Sequence, residues 1–346
     1  MRQIYWLCGV FMMIVACTAN NPAVRAHLTF AEVQQIAQQK EQPFCVVLTD
    51  SAQELSNEYI QLLKGEYGYL AKKAVFTVLD IRDEESARYI KWLTPVSLPL
   101  ACVFSPDGQL IDLIPGAAKE SFLYTNEAIT NRHITAYHWP NRFQKNKQAV
   151  VPFLNQAWTF SHSIDQGDFK WKKYVPLADT LQYPYIEYLL FKAALLSQDS
   201  TYSLRNAQRL LSWEASGTLA LYKDEFIAAK KVVDPDFSLA KAPRIRTEKE
   251  SITLSNLNIG QDVPIDIVLH NDGEEPLHIE QINMSCSCVR LEGPDEGIVI
   301  HGKKSNTARF YFKPEDQGDL TRDIFISSNA LNQPNLHINI LAHVNP

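Results

Sequence analysis

The chain lacks an excess of positive charge: 33 Lys and Arg stand against 39 Asp and Glu, a formal net charge of −6 over 346 residues. Nucleic-acid surfaces need clustered cations, so that class of partner is excluded and an ordinary soluble surface is expected. The sequence has no Gly-rich phosphate loop, no His-Glu-x-x-His pair and no nucleophile elbow, and nothing in it supports hydrolysis. The nine His are scattered; only His133 and His138 stand close, and two donors do not make a metal site. Asp80, Asp83, Glu84 and Glu85 crowd one strand end and read as a solvated helix start, not as catalytic carboxylates. No cofactor is expected. After the first sixteen residues, no run is long and apolar enough to cross a bilayer. Cysteine is scarce too, with six in all: Cys8, Cys17, Cys45, Cys102, Cys286 and Cys288.

Among the features present, the first is a leader. Arg2 precedes an apolar run from Ile4 to Ala16, too short to span a membrane comfortably and suited to a secretion signal. It ends Ile14-Val15-Ala16-Cys17, which resembles the lipobox of bacterial lipoproteins. That resemblance implies a signal peptide over 1–16 and acylation of Cys17 as the first mature residue. A plain leader cut before an incidental Cys is the alternative. Residues 17–27 then form a polar tether. Cys8 leaves with the leader, and four thiols remain in an exported compartment that permits disulfides. Thr18-Ala19-Asn20-Asn21 carries no acidic run of the kind associated with surface export. The expectation is a membrane-anchored lipoprotein of the cell envelope, facing the periplasm from the outer membrane.

Residues 28–131 alternate helical and strand signals. A polar amphipathic helix over 28–40 precedes a nearly continuous apolar strand, Pro43 to Thr49, as expected of a sheet centre buried on both faces. Ala74 to Ile81 is a second such strand, and Asp83 to Leu93 a helix. Ser97-Leu98-Pro99 opens a β-rich run that turns at Asp107-Gly108, because glycine tolerates positive φ in a tight hairpin, and ends at Pro115-Gly116. Lys119 to Asn131 is helical. This order resembles the thioredoxin-like family: a cis-Pro, here Pro99, then the last hairpin of the sheet, a Gly and a final helix. Aligned by the strand Phe44–Asp50, the two thiols of the family's Cys-x-x-Cys fall on about Gln53 and Ser56. Neither forms a thiolate, so the family's redox reaction has no nucleophile there. The resemblance implies a contact face at Ser51–Ser56 beside Leu98 and Pro99, where an extended peptide pairs with exposed backbone. Cys45 and Cys102 sit on strands that neighbour each other in that fold and read as buried free thiols rather than a bridge.

Residues 132–235 lose the strand signal and read as a small helical module. Val150–Ser163 carries Val151, Leu154 and Trp158 near one stripe. Pro184–Ser197 and Tyr202–Glu214 form a pair that resembles a tetratricopeptide-like hairpin. Gly217 reads as a C-cap before a further helix over 218–232. Trp171, Tyr183, Tyr185 and Tyr188 are expected in the core. Residues 236–250, with Pro243, Lys241, Arg244 and Arg246, read as a linker.

From residue 251 to 346 seven short strand candidates separated by Asn/Asp/Gly turns indicate a β-sandwich. The runs Ile265-Asp-Ile-Val-Leu-His-Asn-Asp-Gly273, Ser285-Cys-Ser-Cys-Val289 and Phe310-Tyr-Phe-Lys-Pro314 resemble an uncharacterised Ig-like family frequent in lipoproteins of Bacteroidetes-type bacteria. That family usually shows Ser-Cys-Gly-Cys-Thr where Ser287 and Val289 stand here. If Cys286 and Cys288 lie on a strand, both thiols point to one face with Met284. Three readings stay open: two small core residues, a redox dithiol, or soft Cu or Zn ligands with His301 or His278 as a further donor. The fold expected is multidomain α/β plus β. The function expected is non-catalytic binding or scaffolding of an envelope protein or peptide, with thiol-disulfide or metal chemistry at Cys286 and Cys288 as the alternative.

Overall fold

A computed structural model describes residues 24–168 and 170–345. The leader, Cys17 and the start of the tether lie outside the described residues. The chain forms two compact units, one of residues 24–90 and 94–152, the other of residues 91–93 and 153–345.

The first unit is built on a five-stranded sheet in the order β1-β3-β2-β4-β5. Its strands are β1 (Val24–Ala26), β2 (Phe44–Thr49), β3 (Val75–Asp80), β4 (Leu100–Phe104) and β5 (Leu110–Pro115). The first three run parallel, and β4 and β5 are antiparallel to their neighbours. Every residue of β2, β4 and β5 is buried, which is why these runs, Thr49 and Asp112 apart, are apolar without alternation. Strand β1 lies where the sequence suggested tether: Val24 is half-buried and pairs with Phe76 on the sheet edge. Helix α1 (Phe30–Lys40) starts at a capping box between Thr29 and Glu32 and buries Phe30, Val33 and Ala37. Helices α2 (Glu54–Lys64), α3 (Ser86–Leu93) and α4 (Lys119–Asn131) complete the alternation. The Leu98–Pro99 bond is cis. Gly108 holds φ +87° in the hairpin turn, and a Cβ there would lie 2.6 Å from Gln34 Nε2.

The first unit extends past the end of α4. Asp112 on β5 has no solvent exposure, and its carboxylate accepts from Leu113 N, Thr135 N, Thr135 Oγ1 and, at 2.6 Å, Lys147 Nζ. Lys147 is 5% exposed, and burial pushes its ammonium below its ordinary range against the opposing pull of Asp112. Residues 132–152, assigned above to the helical module, therefore pack on the first unit, across its last strand.

The second unit contains the rest of α5 (Lys147–Asp165), then α6 (Leu177–Thr180), α7 (Pro184–Leu196), α8 (Ser200–Leu211) and α9 (Ser216–Val233). Trp171, Tyr183 and Tyr185 are buried as expected; Tyr188 is half-buried. Lys91 and Trp92 sit among these helices: Trp92 Nε1 donates to Leu154 O and Tyr222 OH to Lys91 O, while Lys91 Nζ meets Glu225 at 2.5 Å. Gly217 lies in the first turn of α9 and caps nothing, because α8 ends at Leu211.

The remaining strands form two sheets. One has the order β10-β12-β8-β6 and the other β11-β9-β13-β14-β7. They comprise β6 (Ile245–Thr247), β7 (Ser251–Leu257), β8 (Val263–Asn271), β9 (Leu277–Met284), β10 (Val289–Glu292), β11 (Ile298–Ile300), β12 (Ser305–Phe312), β13 (Gly318–Ser328) and β14 (Asn335–Val344). Ile265, Ile267, Leu269, Phe310 and Phe312 of one sheet share a core with Ile282, Ile324, Ile326, Ile338 and Ile340 of the other. Strands β6 and β10 escaped the sequence reading because each is only a few residues long. The expected linker is not free. Ala242 and Ile245 are buried, and the backbone of Gly273 approaches so closely that a Cβ would lie 2.1 Å from Ala242 O.

Replacing Lys147 with Met leaves the buried Asp112 carboxylate without a counter-charge and is expected to cost about 3–5 kcal/mol. The double variant Asp112→Asn, Lys147→Met should recover part of that loss in denaturant unfolding. Two equal losses would mean that the charge pair is not what holds 132–152 in place.

Candidate functional site

Strand β2 ends at Thr49, and register pairs Leu48 with Leu100. The chain leaving β2 and the chain entering β4 therefore stand at one end of the sheet. The turn there is closed by its own side chains. Asp50 N donates to Ser56 Oγ (3.1 Å), Ala52 N to Asp50 Oδ1 (3.0 Å) and Gln53 Nε2 to Asp50 Oδ2 (3.0 Å). Ser51 N donates to Asp80 Oδ2 at 2.7 Å, tying the turn to the end of β3. Arg82 grips the same carboxylate in a fork, Nε to Oδ1 at 2.7 Å and Nη2 to Oδ2 at 3.0 Å. The Arg82 guanidinium, with the Ser51 donor, holds the Asp80 carboxyl well below the usual carboxylate range. Asp83 accepts from Asp80 N (2.9 Å) and faces His27 Nδ1 at 3.0 Å. A cavity of about 480 Å3 opens beside this network, lined by Val24, Ile60, Val78 and its charged groups.

The structure separates the residues predicted for the contact face. Gln53 is exposed and Leu98 half-buried. Ser56 and Pro99 are buried; the Ser56 hydroxyl caps the turn and Pro99 O accepts from Gly116 N at 2.8 Å. The Ser56 hydroxyl and the Pro99 carbonyl are thus engaged within the fold. The accessible apolar groups at this sheet end are Leu55 (45% exposed) and Val96 (47% exposed), which sequence reasoning passed over. Spacing alone gives no warning of this, because Leu55 stands four and eight residues before the buried Tyr59 and Leu63, as a member of their apolar stripe would.

Cys45 pairs with Val103, and Cys102 with Val46. Directly opposed residues share a face and neighbours alternate, so the two thiols point to opposite faces of the sheet. Both are free and buried, and burial pushes both thiols far up, away from thiolate chemistry.

Cys286 and Cys288 do not lie on a strand. They occupy the turn between β9 and β10 and are joined by a disulfide, with their Cα atoms 5.2 Å apart. Cys286 is half-buried and Cys288 is 5% exposed. Arg322 Nε lies 3.2 Å from Cys288 Sγ. Ser285 N donates to Asp323 O and Lys313 N to Cys288 O, so the turn is pinned to both sheets. The structure does not bring His278 or His301 to it. His278 stands next to the start of β9, opposite Val299, with Cys286 roughly 26 Å further along an extended chain. Among the described residues no group of three or more His, Cys, Asp or Glu is placed to hold a metal ion.

Residues 245–344 match the family described as protein of unknown function (DUF1573). This range includes β6, which the sequence reading placed in the linker. No curated protein matches the chain. Among solved structures the chain is similar to a protein of unknown function from Porphyromonas gingivalis W83, at 20% identity over 32% of this chain and 50% of that one, with a TM-score of 0.28. The match thus spans half of that protein's length. It is similar also to the ASH/PapD-like domain 7 of human CEP192 (15% identity, 32% and 89% covered, TM-score 0.25) and to the periplasmic chaperone SfaE (12% identity, 30% and 57% covered, TM-score 0.24).

The Asp80 carboxyl is held below its unfolded value, so its contribution is fully present above the ordinary carboxylate range and disappears as pH falls through the lower folded pKa. Arg82→Ala should raise the Asp80 midpoint in a carboxyl NMR titration and move acid unfolding to higher pH. Superimposable titrations of variant and parent would show that Arg82 does not set this carboxylate.

Proposed function

We propose that the chain is an envelope lipoprotein, anchored through Cys17, whose first unit binds, without catalysis, an extended apolar segment of a protein or peptide at the β2–β4 end of its sheet. The strand order β1-β3-β2-β4-β5, with parallel strands followed by a final antiparallel pair, supports a thioredoxin-like reading of the first unit. Gln53 and Ser56 at the positions of the family's thiols leave that fold with a binding role and no redox role there. The Ig-like reading of the two-sheet sandwich fits a second surface held away from the membrane.

The observation that carries the proposal is the exposure of Leu55, in the first turn of α2, and of Val96, in the chain entering β4, beside the Asp50–Ser56 turn whose backbone is fixed by its own hydrogen bonds. Exposed apolar groups on a rigid polar frame suit recognition, because little ordering entropy is lost on binding. The rim is polar, with Gln53 and Ser97 exposed.

Panning a random peptide library on the purified protein should enrich apolar extended sequences. Leu55→Asp and Val96→Asp should each weaken their binding by about tenfold, with stability changed by about 0.5 kcal/mol or less. Amide exchange protection on binding should fall on 50–56 and 96–99. Peptides that bind both variants as tightly as the parent would refute this face.

A further inference from the structure

We propose a second activity, in the other unit and independent of the peptide face: the Cys286–Cys288 disulfide accepts an electron pair from a cysteine pair on a client polypeptide. The two sulfurs are not equivalent. Cys286 is the more accessible, so an incoming thiolate meets its Sγ first. Cys288 is buried and has the Arg322 Nε–H at 3.2 Å, the donor a departing thiolate needs. Exchange is faster when the leaving thiol is stabilised as its anion, and a guanidinium does that in a site shielded from water. The attacked sulfur and the leaving sulfur are thus distinguished by position alone.

A client thiolate attacks Cys286 Sγ, a client–Cys286 bond forms, the Cys286–Cys288 bond breaks, and its electron pair leaves on Cys288 beside Arg322. The client's second thiolate then attacks the client sulfur of the mixed disulfide and releases Cys286, which takes a proton from water. The client is oxidised by two electrons to its disulfide, and the protein is left reduced, with Cys286 as the thiol and Cys288 as the thiolate beside Arg322 until it takes a second proton from water. The turn does not have to unfold for this. Ser285 is held to Asp323 by two backbone-anchored hydrogen bonds, and Cys288 O is held by Lys313 N, so both sulfurs stay on the same short turn after reduction. Cys45 and Cys102 do not compete, being fully buried.

The test uses the purified protein in its oxidised form and a fluorescent peptide carrying two cysteines, without oxygen. The expected result is stoichiometric oxidation of the peptide with appearance of two protein thiols assigned by mass to Cys286 and Cys288. Arg322→Met should slow the transfer by about tenfold or more, and Arg322→Lys should restore part of the rate. In the reduced protein, thiolate absorbance should titrate at higher pH in Arg322→Met than in the parent, a change that loss of packing alone does not produce. The single variants separate the two sulfurs: Cys288→Ser should label natively with a maleimide at Cys286, whereas Cys286→Ser should label slowly. A disulfide that leaves the peptide reduced, equal rates in parent and Arg322→Met, or equal labelling of the two single variants would overturn the proposal.

Discussion

A carboxylate without access to water decides the extent of the first unit. Asp112 sits on β5 with no exposure, and an ionised group so placed needs donors and a counter-charge. Those come from chain that follows α4: the amide and hydroxyl of Thr135 and the ammonium of Lys147. Residues 132–152 are drawn across the last strand for this reason. Lys147 Nζ also reaches Leu113 O, at 3.5 Å, on this edge strand. Strand β5 pairs with β4, and β4 places the cis-Pro99 entry at the end of β2.

A comparable closure operates in the second unit through backbone rather than charge. Gly273 admits the carbonyl of Ala242 where any side chain would collide, so the segment after α9 lies on the β8–β9 turn. Arg244 N, Asp272 N and Glu274 N then complete their hydrogen bonds across this contact. From there β6 joins the edge of its sheet beside β8. The Cys286–Cys288 turn sits between strands on opposite sheets, and Arg322 reaches it from β13.

The element order was legible because its signals are local. The apolar run Phe44–Thr49, the Asp107-Gly108 turn and the alternation of Ile265, Ile267 and Leu269 each follow from burial on two faces, from positive φ and from the two-residue period of a strand. The missed elements are short. Val24–Ala26 and Ile245–Thr247 have too few residues for a period and become strands only because an edge is there to pair with. At the sheet end, Gln53 and Leu98 were read from position along the chain. That cannot tell Ser56, whose buried hydroxyl caps the turn, from Leu55, whose side chain faces outward.

By itself the sequence determined the order of the longer helices and strands, the scarcity of thiols and the absence of any at Gln53 and Ser56, since these depend on residue type and spacing alone. Tertiary structure decided which polar groups are sealed from water and which atoms meet. Asp112 and Lys147 lie 35 positions apart and Cys288 and Arg322 lie 34 apart, yet each pair is in direct contact. Such partners are chosen by strand register and by the electrostatic cost of burial, and neither leaves a mark in the neighbouring residues.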